Sequence, residues 1–331
     1  MVAAFIFPSF KEIRCKGKQT EIAFCSTNGA QNKSLDVPIC VIFNPAARGY
    51  KARRFRRNLD EIGGQCALKA TAAPGDARRL ATEAIADGFD LIVAAGGDGT
   101  VNEVLNGIGD APNGFERARL GVLPLGTVNV FARELKMPFR LVPAWEVLQR
   151  GREIKIDLPC AEYSAGGGRQ RRYFAQLAGG GLDARAIELV DWQQKKNVGL
   201  LAYIIAGLRA LREKKPQVTA RANGQSFSGE LILIGNGKFY GGSLDIFPAA
   251  DWRDGRLDVC VVPRVDFPTL FRCTPGLLTR QGLPEKVPQR FCAEKFELTG
   301  EPAAAFELDG EWVGKLPVTF SVAREKLRVV C

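Results

Sequence analysis

Three glycines, one carboxylate and one hydroxyl stand together at Gly96-Gly97-Asp98-Gly99-Thr100, directly after the apolar run Leu91 to Ala95. A loop with so little side-chain bulk lets backbone N–H groups close on an anion, and a helix that follows adds its positive end. Phosphate is the anion such a loop suits. Asp98 is the one charge in the loop. Phosphate repels a carboxylate, so the natural partner of Asp98 is Mg²⁺ bridging to the phosphate oxygens. Asn102 and Glu103 follow within a turn. A second small loop, Leu125 to Asn129, offers close approach at Gly126, a hydroxyl for a phosphate or ribose at Thr127, and an amide for a carbonyl or phosphate at Asn129. Either loop alone also reads as a plain strand-to-helix turn that uses glycine for its backbone freedom.

Two acidic turns lie further along. Asp251, Asp254 and Asp258 fall close together in Ala250 to Val259. The Asp-Gly step there serves as a turn between β segments, or the acids and backbone carbonyls hold a hard cation. Phe306 to Trp312 contains Asp309-Gly310, another competent turn, followed by Glu311. A carboxylate at Glu311 suits general-base work if it is partly desolvated and within hydrogen-bond reach of an acceptor.

The elements that must carry these residues follow from the hydrophobic pattern. Ile39 to Phe43 is a buried strand ended by Asn44-Pro45, and a helix rich in Arg53, Arg54, Arg56 and Arg57 follows. Cys66 to Thr71 is a second strand. Gly75-Asp76 opens a helix with Asp76 as N-cap, and Ala77, Leu80, Ala81, Ala84 and Ile85 fall on one face. Leu91 to Ala95 and Leu120 to Pro124 complete four strands. Such alternation implies an open parallel sheet covered on both faces, with ligands beyond the carboxyl ends of its strands. Near residue 150 the pattern changes to short β segments. Ile154 to Leu158 and Arg172 to Ala178 flank Gly166 to Arg171 as a hairpin with a long tip, and Gly179 to Ala184 leads into a helix. Strands at 217–221, 229–234, 257–262, 295–298, 305–308 and 318–322 then indicate a sandwich-like second domain. The expected organisation is an N-terminal extension at 1–37, an α/β domain at 38–150 and a β-rich domain at 151–331.

Composition removes many chemistries. The 331 residues include no histidine, which excludes His general bases, His-ligated metals and Ser-His-Asp hydrolysis. Nine cysteines, an odd number without a Cys-x-x-Cys pair, argue against a zinc site or a disulfide framework and for reduced thiols. No apolar run approaches the ~20 residues that span a bilayer, and Met1 to Phe10 lacks the pattern of a secretory signal. A formal charge of +10 points to an anionic partner: nucleotide, anionic membrane or nucleic acid. Nucleic acid is the least supported, since no recognised binding motif is present. Leu200, Leu201, Ile204, Ile205, Leu208 and Leu211 share a helical face bracketed by Lys195, Lys196, Arg209, Arg212, Lys214 and Lys215. That helix either packs on the β-domain with a solvated basic rim or lies on an anionic membrane.

Gly96 to Thr100 resembles the nucleotide loop of diacylglycerol-type lipid kinases, sphingosine kinases, NAD kinases and phosphofructokinases. Pro124 to Arg133 resembles the second signature of the diacylglycerol kinase catalytic domain. That family commonly has Gly-Thr-x-Asn-Asp where this chain has Val130 last, so an acid of the network around the active-site Mg²⁺ is missing. Asn44-Pro45-Ala46-Ala47-Arg48 resembles the first nucleotide-contacting turn, and Thr71 to Ala77 the segment whose Thr approaches the nucleotide. Asp251 to Asp258 resembles the turn that holds a structural Mg²⁺ in bacterial members. The resemblance carries that role to Asp254, with carbonyls from Asp251 and Arg256. Leu308 to Glu311 resembles the catalytic signature in which Glu311 is the general base for the lipid hydroxyl.

The resemblance covers about residues 38 to 331 and implies an ATP- and Mg²⁺-dependent lipid kinase. The implied ATP contacts are Asn44, Pro45, Arg48, Thr71, Gly96, Gly97, Asp98, Gly99, Thr100, Asn102, Gly126, Thr127 and Asn129, with Asp98 and Glu311 catalytic. Diacylglycerol comes first as acceptor, before a ceramide or sphingoid base and phosphatidylglycerol. NAD kinase shares the glycine loop but leaves Asp254 and Glu311 unexplained. A nucleotide- or lipid-binding protein impaired in catalysis is the reading that Val130 supports. The expected setting is the cytoplasmic face of a membrane, touched peripherally, with a homodimer left open.

Overall fold

A computed structural model describes residues 38–45, 62, 64, 66–188, 215–279, 282–300 and 304–331. Arg48, the arginine-rich helix expected after Asn44-Pro45 and the basic helix expected from 197 lie outside the described residues.

Short apolar runs build the sheet core. Strands β1 (Ile39–Phe43), β2 (Ala67–Ala70), β3 (Leu91–Gly96) and β4 (Arg119–Pro124) lie parallel in the order β2-β1-β3-β4. All residues of β1, β3 and β4 are buried, as near-continuous apolar strands covered on both faces must be. Helices α1 (Asp76–Ala86), α2 (Asp98–Asp110), α3 (Gly114–Arg117), α4 (Val130–Glu134) and α5 (Leu141–Arg150) fill the crossovers. The N-cap of α1 is Gly75, at φ 89°, and not Asp76. Asp76 instead turns back, and its Oδ2 accepts from the N–H groups of Ala72 and Ala73.

The second half contributes β5 (Glu153–Ala165), β6 (Gly168–Tyr173), β7 (Leu177–Gly181), α6 (Leu182–Glu188), β8 (Val218–Ala222), β9 (Gln225–Gly229), β10 (Leu231–Gly235), β11 (Phe239–Tyr240), β12 (Leu244–Asp245), β13 (Leu257–Val262) and α7 (Phe267–Thr279). The strands β14 (Gln289–Ala293), β15 (Lys295–Gly300), β16 (Ala305–Leu308), β17 (Glu311–Lys315) and β18 (Val318–Val330) complete the described chain. The order β14-β13-β10-β7-β16-β17 forms an antiparallel sheet. It packs through Phe174, Phe296, Phe306 and Phe320 on β18, β15 and β8 to make the sandwich.

The parallel sheet does not stop at residue 150. β18 pairs in parallel with β4 at Val329↔Leu120 and antiparallel with β5 and β15, so one sheet runs from β2 to β9 through both halves. The hairpin expected with a long tip is instead a tight turn at Gly166-Gly167, because β5 and β6 stay paired out to Ala165↔Gly168. Arg172 and Tyr173 belong to β6, and a break at 174–176 separates them from β7. Helix α7 was not among the expected elements, and it carries Pro275 inside it.

Candidate active site

The four parallel strands end at one place. Asn44 N–H donates to the Ala95 carbonyl at 3.2 Å and Thr71 N–H to the Phe43 carbonyl at 2.9 Å, so the turn after β1 lies against the end of β3 and the turn after β2 against the end of β1. The glycine loop itself is shorter than a loop. Gly96 ends β3, Gly97 is the N-cap of α2, and Asp98 already stands in its first turn. A side chain at Gly96 would run into Thr100, which is buried beneath the strand end. The second loop leans directly on the first, since a Cβ on Gly126 would lie 2.5 Å from Gly97 Cα. Two glycines back to back let both loops reach one site.

Asp98 points across this seam, and its Oδ1 accepts from Phe131 N–H at the start of α4, at 3.3 Å. Burial raises its carboxyl from 3.8 to about 6, opposed by the backbone N–H groups of α4 and aided by the charge of Asp309. An acid held that way gains from a cation beside it. Thr127 is exposed beside it. Asn129, at φ 51°, is buried and donates through Nδ2 to the Gly126 carbonyl at 2.7 Å, so it holds the loop shape. Val130 lies in a third apolar cluster with Leu177, Tyr240 and Phe247. Glu103 caps the next helix over, accepting from the N–H groups of Gly75 and Ala77 at 3.0 Å each.

Glu311 arrives from the opposite half of the protein. Asp309 (φ 48°) and Gly310 (φ 82°) make the left-handed two-residue turn between β16 and β17, and Glu311 opens β17. Its Oε1 lies 2.8 Å from where a Cβ on Gly99 would stand, so the carboxylate rests on the first turn of α2. Its Oε2 accepts from Arg172 Nη2 at 2.5 Å. The same guanidinium donates to Asn102 Oδ1 at 2.7 and 3.2 Å. Asn102 donates in turn to Asp309 Oδ2 at 2.8 Å, and Asp309 also accepts from the N–H groups of Ala175, Gln176 and Leu177. Asn102 is thus a fully buried link between the halves. Under the turn, burial and the charge of Asp183 hold the Glu307 carboxyl well above the carboxylate range, and Glu307 accepts from Gly310 N–H at 2.6 Å. Tyr240 donates its hydroxyl to Asp183.

Arg172 and Glu307 were missed as site residues in the sequence, while Asp309, open there between a turn residue and a support of the site, is both. Arg172 is one of three arginines in the run Arg169-Gln170-Arg171-Arg172, and spacing alone does not single it out.

The 251–256 turn is fastened from within. Asp251 Oδ1 accepts from Arg253 N–H, Asp254 Oδ1 from Arg256 N–H, and the Asp251 carbonyl from Asp254 N–H. Asp157 on β5, wholly buried, accepts from Gly255 N–H at 2.8 Å and pairs with Lys326 of β18. Asp254 Oδ1 and the Asp251 carbonyl thus each accept one bond within the turn, and Lys326 neutralises the buried Asp157 that supports it. Among the described residues no group of three or more His, Cys, Asp or Glu side chains is placed to hold a metal ion.

An open parallel sheet with paired glycine turns, closed by a sandwich that lays a carboxylate on the first turn of α2, is the frame of a phosphotransferase. The description Diacylglycerol kinase catalytic domain matches residues 38–161, and YegS C-terminal NAD kinase beta sandwich-like domain matches residues 177–331. The chain is 31% identical over 292 residues to a diacylglycerol kinase of Staphylococcus aureus, covering 85% of this chain and 88% of that one. It is 32% identical over 289 residues to a diacylglycerol kinase of Staphylococcus epidermidis, covering 85% and 87%. A crystal structure of a diacylglycerol kinase from Bacillus anthracis has the same fold, with a TM-score of 0.67 at 22% identity over 89% of this chain and 96% of that one. The chain belongs to the diacylglycerol kinase family, and with it to the lipid kinases. No helix among the described residues is long and apolar enough to cross a membrane.

Proposed function

We propose that the protein transfers the γ-phosphate of MgATP to the hydroxyl of a lipid, with diacylglycerol as acceptor and phosphatidic acid as product. The observation that carries this reading is the position of Glu311 Oε1 over Gly99, at the turn where a phosphate chain would meet the N-terminus of α2. A general base must lie within hydrogen-bond reach of the hydroxyl that attacks the phosphate. Arg172 holds Oε2 and leaves Oε1 toward the glycine turn.

ATP's phosphates would lie on the backbone of Gly97 to Gly99 and on Gly126-Thr127, with Asn44-Pro45 and Thr71 flanking the rest of the nucleotide. Arg48 would join them from outside the described residues. Mg²⁺ would arrive with the nucleotide, and Asp98, whose burial disfavours an unpaired charge, is the acid that fits it. A structural Mg²⁺ at the 251–256 turn, held by Asp254 with the carbonyls of Asp251 and Arg256, would fix that turn and take no part in the transfer. The acceptor hydroxyl gives its proton to Glu311 as its oxygen attacks the γ-phosphorus and the bond to the ADP oxygen breaks. The main-chain N–H groups at the start of α2 would stabilise the charge on the transferring group.

The test is transfer of labelled γ-phosphate from MgATP to micellar diacylglycerol, ceramide, sphingosine and phosphatidylglycerol, with NAD as a soluble acceptor. Label in diacylglycerol, lost in Glu311→Gln, supports the reading. Label in another lipid renames the acceptor, and label in NAD alone refutes lipid transfer.

A further inference from the structure

We propose that α7 is a membrane-docking helix that seats the protein on an anionic lipid surface. Phe267 and Phe271 are 78% and 80% exposed, the most open large apolar side chains among those described. Four residues apart on one helix, they point the same way. Pro268, Arg272 and Pro275 are exposed with them, and Arg264 just before the helix is exposed too. The helix contains no carboxylate. The nearby Asp266 is engaged by Thr269 N–H and Arg264, and the Thr269 bond holds its carboxyl below the usual range. The exposed face therefore offers two aromatic rings and the Arg272 guanidinium, with Arg264 paired to Asp266 just before the helix and no acid on the helix itself.

The opposite face fixes the helix to the apolar interior next to the site. Cys273 is buried and Leu270 partly buried in the cluster that also contains Val130, the residue after Asn129 of the second loop. One apolar cluster thus joins the docking helix to the edge of the phosphate site.

Charge and area choose the occupant. Two phenylalanines cover at most about 500 Å², short of the roughly 800 Å² per partner of a stable protein interface. Shallow insertion of aromatic side chains beside arginines is how interfacial helices engage anionic bilayers. The net charge of +10 has the sign that such a surface attracts. This inference takes its purpose from the lipid-kinase reading, but its test does not use turnover.

The full chain is sedimented with vesicles of phosphatidylcholine alone and of phosphatidylcholine with phosphatidylglycerol, without nucleotide. Phe267→Ser with Phe271→Ser should lower partition to the anionic vesicles by about tenfold or more, with an unchanged melting temperature. Arg264→Gln with Arg272→Gln should remove most of the preference for phosphatidylglycerol. With a dispersed short-chain diacylglycerol, which needs no surface, the phenylalanine variant should turn over as the wild type does. Wild-type partition in the phenylalanine variant overturns the proposal, and so does a wild-type dimer that the variant abolishes. Failure to phosphorylate any lipid would refute the kinase reading and leave the partition result standing.

Discussion

Arg172 Nη2 lies 2.5 Å from Glu311 Oε2 while the same guanidinium holds Asn102 Oδ1, so one side chain of β6 ties the sandwich carboxylate to the helix behind the glycine turn. Lysine presents a single point charge and cannot span both partners in this geometry. Arg172→Ala should lower kcat by roughly 10- to 100-fold, with a smaller change in the KM for ATP. Arg172→Lys should restore only part of the rate. Steady-state kinetics on both variants checks this, and a fall confined to KM would show that the pair does not position the base.

Gly99 and Gly126 should respond to alanine in different ways. At Gly99 the added methyl meets the end of a flexible carboxylate, 2.8 Å away. Glu311 can swing aside, so the melting temperature should hold while activity falls steeply. At Gly126 the methyl meets backbone, Gly97 Cα at 2.5 Å. That collision should cost about 1–3 kcal/mol of stability. Thermal melts beside rates on the two variants separate the cases.

Asp98 makes stability depend on pH with a definite sign. Its carboxyl is raised from 3.8 to about 6 in the fold, so the folded state binds the proton more tightly than the unfolded chain. The associated stability is fully present below about 4 and is lost as pH rises through about 6. Asp98→Asn removes that loss. The variant should therefore be more stable than wild type near neutral pH by on the order of 1–3 kcal/mol, with the difference closing by pH 4. Denaturant melts without nucleotide across that range check it, and a constant difference would count against burial of the charge. The same variant should be inactive.

Lys326 neutralises Asp157, which has no exposure to solvent and also receives Gly255 N–H. Lys326→Met leaves a buried carboxylate without its counter-charge and should cost on the order of 3 kcal/mol. Dialysis of the wild type against EDTA tests the structural Mg²⁺. A melting temperature that falls places a bound cation at the 251–256 turn, and one that holds leaves the turn to its own hydrogen bonds.

The parallel strands β1, β3 and β4 were legible because each is a short apolar run that ends at glycine, proline or asparagine, and the structure keeps those ends within a residue or two. The chain order of the glycine turn, the second loop and the terminal Glu311 was also plain. Their partners were not. Asp309 reads locally as the first residue of a tight turn, yet its carboxylate is spent on backbone N–H groups more than 130 positions earlier. Arg172 faces Glu311 only because β6 alternates in a register that no spacing specifies. Helix α7 was not among the expected elements, and its interior Pro275 disfavours a helix. Asp76 was read as a cap when glycine's left-handed backbone already supplied the start of the helix.

β18 has a consequence for the order in which the protein can form. Residues 318–330 are synthesised after every other strand of either sheet, yet they lie between β4 and β15 and pair along most of β5. Until they emerge, the β4 edge of the nucleotide-binding sheet stays open and the sandwich lacks a central strand. The two halves therefore cannot mature one after the other on the ribosome. Their long-range closure delays folding until β18 has emerged, and Glu311 meets Gly99 only in a chain already made through Val330.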